Sequence, residues 1–251
     1  MIEIKQLKGQ KKYQEVTQLM NKHIQKMSEN IKEEEIWFLE HENVFTAGSS
    51  TPKEFRIDEI NKIPVIKVNR GGKITFHGPG QLVIYPLINL KKRKKNIIDY
   101  INSLEDICIK AFEKSDIKLY RKKEKNRGLW VESDNASKKI IFIGLRYSKG
   151  IIHHGLSINF NLDLDNFQKI DPCGLNSKDV SSLKALKIKY NKGKIYKDLK
   201  EEFMRVFWDQ IVADAATSKA DAKVTMENLI ESRGRTLESI FHDFVICLLY
   251  T

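Results

Sequence analysis

The 251-residue chain is poor in cysteine and proline, with 3 and 5 residues, and its 13 glycines fall in no repeating pattern. These scarcities exclude a collagen-like or proline-rich chain and, with no CxxC, a disulfide framework or a cysteine zinc site. Long apolar runs are also missing. The longest, Phe244 to Tyr250, falls far short of the ~20 residues that cross a bilayer, so no membrane span is expected. Met1 to Lys11 alternates charged and apolar residues and lacks the apolar stretch of a secretory signal, which makes a cytoplasmic location the expectation.

What is present is ordinary for a soluble globular protein: 41% hydrophobic and 31% charged residues, enough for a substantial core. The 44 basic against 33 acidic residues give a net charge of +11, which favours an acidic partner. Lys91-Lys92-Arg93-Lys94-Lys95 reads as a solvated loop, and no aromatics interleave with the basic runs, so no nucleic-acid site is predicted.

Tyr13, Val16, Leu19, Met20, Ile24 and Met27 recur at helical spacing after a short strand at Ile2 to Ile4, and a second such stripe runs from Ile97 to Phe112. Short strand-like segments follow the first helix at Ile36 to Leu39, Val65 to Val68, Ile74 to Phe76 and Leu82 to Tyr85. More follow the second, at Gly128 to Val131, Lys139 to Arg146 and Leu156 to Phe160, before a last helix from Tyr196 to Trp208. This order predicts one mixed α/β (α+β) domain over residues 1–211. Residues 212–251 differ in composition: they are rich in alanine and hold four basic against six acidic residues, leaving forty and twenty-seven for the body. They form an appendage to which the sequence assigns no role.

Three segments concentrate chemistry. Arg70-Gly71-Gly72-Lys73-Ile74-Thr75-Phe76-His77-Gly78-Pro79-Gly80-Gln81 sets a double glycine, an arginine and a histidine between two strands. Glycine pairs let backbone approach a ligand closely, but the spacing matches neither GxxxxGK[ST] nor GxGxxG, and the plainer reading is a hairpin with a buried, satisfied His77. Pro172-Cys173-Gly174 presents a thiol on a rigid turn, whereas Cys108 and Cys247 fall on apolar stretches and read as core. A thiol with an ordinary pKa of ~8.5 needs a nearby base or cation to act as a nucleophile. His77, His153, His154 and Lys139 are all available, and spacing does not choose among them. Lys139 opens the apolar run Ile140 to Ile143, where lost hydration would lower its proton affinity; the plainer reading is a solvated lysine ahead of a strand. His153 and His154, as neighbours on a strand, should point to opposite faces and not share a metal.

Taken in order, Leu39-Glu40-His41, Val44 to Gly48, Arg70 to Pro86, Gly128 to Val131, Lys139 to Gly144, His154 to Asn159 and Pro172-Cys173-Gly174 closely resemble the octanoyltransferases of the lipoyl protein ligase B family. The resemblance spans about residues 1–211 and implies a biotin/lipoate protein ligase type of fold. The implied activity is transfer of an octanoyl group from octanoyl-acyl carrier protein to a lysine of lipoyl domains, those of 2-oxoacid dehydrogenases and the glycine cleavage H protein, without cofactor or metal. It implies further that Cys173 is the acyl-thioester nucleophile and Lys139 the lysine that lowers its pKa and shuttles its proton. Arg70, Gly71, Gly72, Lys73, Ile74, Thr75, Phe76 and His77 would bind the acyl substrate, with Phe142, Ile143 and Gly144 and with Gly155, Leu156 and Ser157. Phe76 and Ser157 stand where the family often has tyrosine and alanine, changes that remove no reactive group.

Thioester exchange needs no ATP, in keeping with the missing phosphate loop. Backbone amides at Gly144, Gly155 or the double glycine are candidates to meet oxyanion charge, and Ile141 to Ile143 with Leu156 to line an apolar acyl slot. Two other classes stay open: an ATP-dependent lipoate or biotin ligase of the same fold, which would not depend on Cys173, and a non-catalytic carrier-protein-binding module, which would tolerate loss of both Cys173 and Lys139.

Overall fold

A computed structural model describes residues 2–31, 33–52, 54–55, 57–122, 127–133, 136–170 and 176–216, with side chains to 207. Cys173 and Cys247 lie outside the described residues. The chain divides into two compact units, Met1–Met204 and Arg205–Thr251. The boundary read from sequence at residue 211 falls within the last helix, Lys192–Ala216.

The strands of the first unit are β1 (Ile2–Lys11), β2 (Glu34–His41), β3 (Val44–Ala47), β4 (Glu59–Ile60), β5 (Ile63–Lys67), β6 (Ile74–His77), β7 (Gln81–Asn89), β8 (Tyr120–Arg121), β9 (Gly128–Ser133), β10 (Ala136–Ser148) and β11 (Ile151–Asn159). The helices are α1 (Tyr13–Ser28), α2 (Ile97–Glu113) and α3 (Lys192–Ala216). Seven strands form one sheet in the order β1-β2-β7-β11-β10-β9-β8, and four form another in the order β4-β5-β3-β6. β1 runs parallel to β2 and β3 parallel to β5, which makes both sheets mixed. Among the described residues no helix is long and apolar enough to cross a membrane.

The helical stripes behave as their spacing requires, except that Leu19 of α1 and Ile97 of α2 are exposed. Val16, Met20, Ile24 and Met27 of α1 pack with Trp37, Leu39, Val83 and Leu87 on one face of the large sheet. Phe38, alternating with Trp37 and Leu39, faces the other way and meets Tyr196 and Phe203 of α3. Asn96 caps α2 through its side chain, which accepts from Asp99 N, and Cys108 is buried in that helix as expected. A second core joins Phe45, Ile74 and Phe76 of the small sheet to Trp130 and Phe142 of the large one, with Phe167, Ile170 and Val180 from the following loop.

Besides the two-residue strands β4 and β8 and a last helix that begins at Lys192 and not Tyr196, two elements differ from the sequence reading. The first strand continues from Ile4 to Lys11, because its polar stretch follows β2 across a register shift between Gln6 and Gln10. An edge strand needs no apolar alternation on its solvent side, so the pattern gave no signal. Val44–Ala47, too short for a periodicity, is wholly buried as β3 between β5 and β6.

The centre of the large sheet carries a defect. β7 pairs with β11 at Ile88↔Ile152 and again at Ile84↔Leu156, with no pairing between. Pro86 sits in that gap with no N–H to give. Opposite it, His154 has φ +57, and a Cβ on Gly155 would lie 2.0 Å from the Ile84 carbonyl oxygen.

Candidate active site

The gap in the ladder opens onto a cleft. Arg70, Gly71, Thr75 and His77 line it from the β5–β6 loop and β6, Phe142, Ile143 and Gly144 from β10, and Gly155, Leu156 and Ser157 from β11. Of the three segments singled out in the sequence, those of Arg70 and of Lys139 to Gly144 meet here, and the one with Cys173 lies outside the described residues. Four residues of the first segment serve the scaffold instead. The carbonyls of Gly72 and Lys73 accept from Ser50 N and Gly48 N, and Ile74 and Phe76 are buried in the second core. Of the expected acyl slot, Phe142, Ile143 and Leu156 line the cleft, while Ile141 is fully buried away from it.

Arg70 is 6% exposed, yet charged. Its Nη2 donates to the hydroxyl and carbonyl of Thr46 at 2.7 and 2.6 Å, and Nη1 donates to the Gly71 carbonyl at 2.9 Å. Gly71 N donates to Leu145 O, which commits that amide and removes it from the possible oxyanion donors. Thr75, paired with Thr46 across β3 and β6, has a buried hydroxyl without a hydrogen-bond partner among the described residues. A buried hydroxyl in a cleft wall is available to a ligand.

Tyr13, Val83, Tyr85 and His154 also line the cleft; none is among the expected substrate-binding residues, although His154 is a candidate base, and Tyr13 escapes the sequence reading because it belongs to a helical stripe that reads as core. They build a polar but uncharged wall. His41 Nδ1 donates to Lys11 O, which leaves Nε2 to accept from the Tyr85 hydroxyl at 2.8 Å. His77 Nδ1 donates to Gln81 Oε1 at 2.6 Å, and the Gln81 amide donates to Phe76 O and Asn159 Oδ1. His77 is thus buried and bonded, as the plainer reading had it, and lines the cleft as well. Burial depresses His41 to about 4 and His77 to about 3, with neighbouring His41 and Arg70 adding to the effect at His77. At neutral pH these imidazoles are hydrogen-bonding groups, not charges.

The expectation that His153 and His154 face opposite ways is overturned. Their rings stack with centroids 5.2 Å apart, because the left-handed φ of His154 breaks the strand's alternation. Both are pushed down, chiefly by burial, to about 4 and about 3. Among the described residues no group of three or more His, Cys, Asp or Glu could hold a metal ion.

Lys139 is not a solvated lysine: it is 2% exposed. Its Nζ donates to Arg127 O at 2.7 Å and stands 4.9 Å from the centroid of the Phe142 ring, which lines the cleft. Its own backbone carbonyl accepts from Ser181 N, and it bridges to Val180.

The chain is similar to known proteins in sequence and in fold. The family model described as the lipoyl protein ligase A/B catalytic domain matches residues 12–204. An octanoyltransferase of Wolbachia sp. subsp. Brugia malayi is 37% identical over 196 residues, 78% of this chain and 94% of that protein. One from Rickettsia conorii is 39% identical over 198 residues, with the same coverage. Among solved structures, lipoate-protein ligase A bound with ATP superposes with a TM-score of 0.60 at 12% identity, covering 82% of this chain and 84% of that one. An archaeal bi-partite lipoate protein ligase from Thermoplasma acidophilum gives 0.58 at 11%, covering 82% of each chain. At those identities the likeness shows a shared fold.

Proposed function

Because this chain belongs to the lipoyl protein ligase A/B catalytic-domain family, we propose that its cleft carries out octanoyl transfer through a thioester on Cys173, from octanoyl-acyl carrier protein to a lysine of a lipoyl domain. It is an acyltransferase of protein lipoylation. The Cys173 thiolate attacks the carrier's thioester carbonyl, and the carrier's sulfur leaves with a proton from Lys139. The acceptor lysine's neutral amine then attacks octanoyl-Cys173, forming the amide; its proton passes to Lys139 and Cys173 leaves as the thiolate, which restores the starting pair. No nucleotide is consumed, since the acyl group arrives activated. Arg70, Gly71, Thr75 and His77, with Phe142 to Gly144 and Gly155 to Ser157, bind the acyl end of the donor. Acceptors are the lipoyl domains of 2-oxoacid dehydrogenases and the glycine cleavage H protein, in the cytoplasm, and the +11 net charge suits an acidic carrier.

The observation that carries this reading is the setting of Lys139. It is a buried lysine beside the Phe142 ring, and Ile170 and Val180, on either side of the segment with Cys173, belong to the same core as that ring. Intact-protein mass spectrometry after mixing with octanoyl carrier protein in ATP-free buffer tests it. An octanoyl adduct is expected on the wild type and absent in Cys173→Ser, followed by transfer to a lipoyl domain. An adduct that survives Cys173→Ser, or transfer that requires ATP and free octanoate, overturns it.

A further inference from the structure

Glu105 is an acid in the middle of α2, 1% exposed, on the helix face that meets β9. Its Oε1 accepts from Gly128 N at 3.1 Å and its Oε2 from Arg121 Nε at 2.8 Å. Gly128 N and Arg127 O belong to one peptide group, and Arg127 O is the acceptor of Lys139 Nζ. That peptide is therefore gripped at both ends, by a carboxylate on its N–H and an ammonium on its carbonyl. An anionic acceptor on the N–H polarises the peptide and makes its oxygen a stronger acceptor. The contact also fixes Gly128: its φ is +119, and a Cβ there would lie 2.2 Å from Ile141 O and 2.9 Å from Lys139 Cε.

We propose that Glu105 is a positioning residue for the reaction, holding the Lys139 ammonium through the peptide that joins Arg127 to Gly128. The inference rests on the reading of Lys139 as the proton carrier. Charged groups near this path are Asp106 of α2, which accepts from Arg121 Nη2, Lys122 stacked over Trp130, and Arg127, whose Nη1 lies 3.6 Å from Glu105 Oε2. Glu105 touches no reacting atom. It acts through one peptide plane, so its effect is on where Lys139 stands and how firmly it keeps its proton.

The test is the ionisation of Lys139 itself, followed in the full chain labelled with 13Cε-lysine and assigned by loss of its signal in Lys139→Arg. Glu105→Gln removes the negative charge while keeping the shape, and the Lys139 midpoint should fall by about one unit, tenfold in proton affinity. Its kcat for transfer should fall while KM for the carrier stays. Arg121→Gln removes the cation from the other carboxylate oxygen, and there the midpoint should rise. A fall in both variants would mean that the cluster merely staples α2 to β8 and β9, and an unchanged midpoint in Glu105→Gln would equally overturn the proposal. If Glu105→Gln fails to fold, Arg121→Gln decides by the sign of its shift. Failure of the underlying reading looks different: Lys139→Met would leave the pH dependence of Cys173 alkylation unchanged, whatever Glu105 does to Lys139.

Discussion

Arg70 Nη2 donates to both the side-chain and the main-chain oxygen of Thr46, so one strand residue fixes the guanidinium that lines the cleft. Hydrogen bonds to a charged group are worth about 1.5–3 kcal/mol. Thr46→Val keeps the β-branched shape of a wholly buried strand residue but removes the hydroxyl. It should lower unfolding stability in urea by about that amount and cut kcat/KM roughly tenfold, which corresponds to ~1.4 kcal/mol. Unchanged transfer kinetics in a folded variant would detach Arg70's placement from the reaction.

Gly155 and Gly71 line the same cleft but differ in what surrounds them. A Cβ at Gly155 meets the Ile84 carbonyl at 2.0 Å, whereas at Gly71 the nearest atom is Leu145 O at 3.3 Å. Backbone at the centre of a sheet cannot move aside, so Gly155→Ala should cost about 3 kcal/mol or more, at the upper end of overpacking, and Gly71→Ala much less. Thermal unfolding of the two purified variants compares them directly.

Acid should destabilise the protein before its carboxylates titrate. His41, His77, His153 and His154 have folded values depressed from 6.5 to about 4, 3, 4 and 3, chiefly by burial. The unfolded chain therefore takes up protons that the folded chain refuses, and stability present above pH 6.5 is lost as the pH falls toward those folded values, by at most about 1.4 kcal/mol per unit for each group. His154→Asn suits the left-handed backbone there and should flatten the decline between pH 6.5 and 5. Urea midpoints across that range that decline as steeply as in the wild type would reject the assignment.

Lys139 and Lys138 are a built-in control pair. Lys138 reaches outward to the Lys178 carbonyl, while Lys139 is buried against Phe142. Lys139→Met should raise the pH midpoint of Cys173 alkylation by iodoacetamide and slow transfer, and Lys138→Met should do neither. Lys139→Arg keeps the charge but accepts no proton at neutral pH. A low alkylation midpoint with lost transfer would identify proton shuttling as the essential part, and retention of both would make the role electrostatic.

Removal of residues 212–251 should leave transfer largely intact, since the family match ends at residue 204 and every cleft-lining residue lies upstream. Soluble yield and transfer rate of a chain ending at Ile211 measure this. An insoluble or inactive product would make the second unit part of the catalytic fold.

Much of the fold was legible because local chemistry writes it. The 3.6-residue stripes of α1 and α2, the apolar runs of β10 and β11, and the ordered motif blocks needed no tertiary information to point to a mixed α/β domain of this family. The double glycine and Cys108's place in the core were likewise set by neighbours in sequence. Other features depend on residues far apart in the chain, and only the tertiary structure decided them. The stacking of His153 on His154 follows from a ladder broken opposite Pro86, a residue 68 positions before His154. Tyr13 belongs to the cleft because the first turn of α1 is brought beside His41 and His77. Lys139 is buried, not solvated, because β10 begins at Ala136, ahead of the apolar run, and the Arg127 carbonyl and Val180 meet the lysine there. Strand pairing across long separations sets which side chains share a face, and that choice has no signature within one segment.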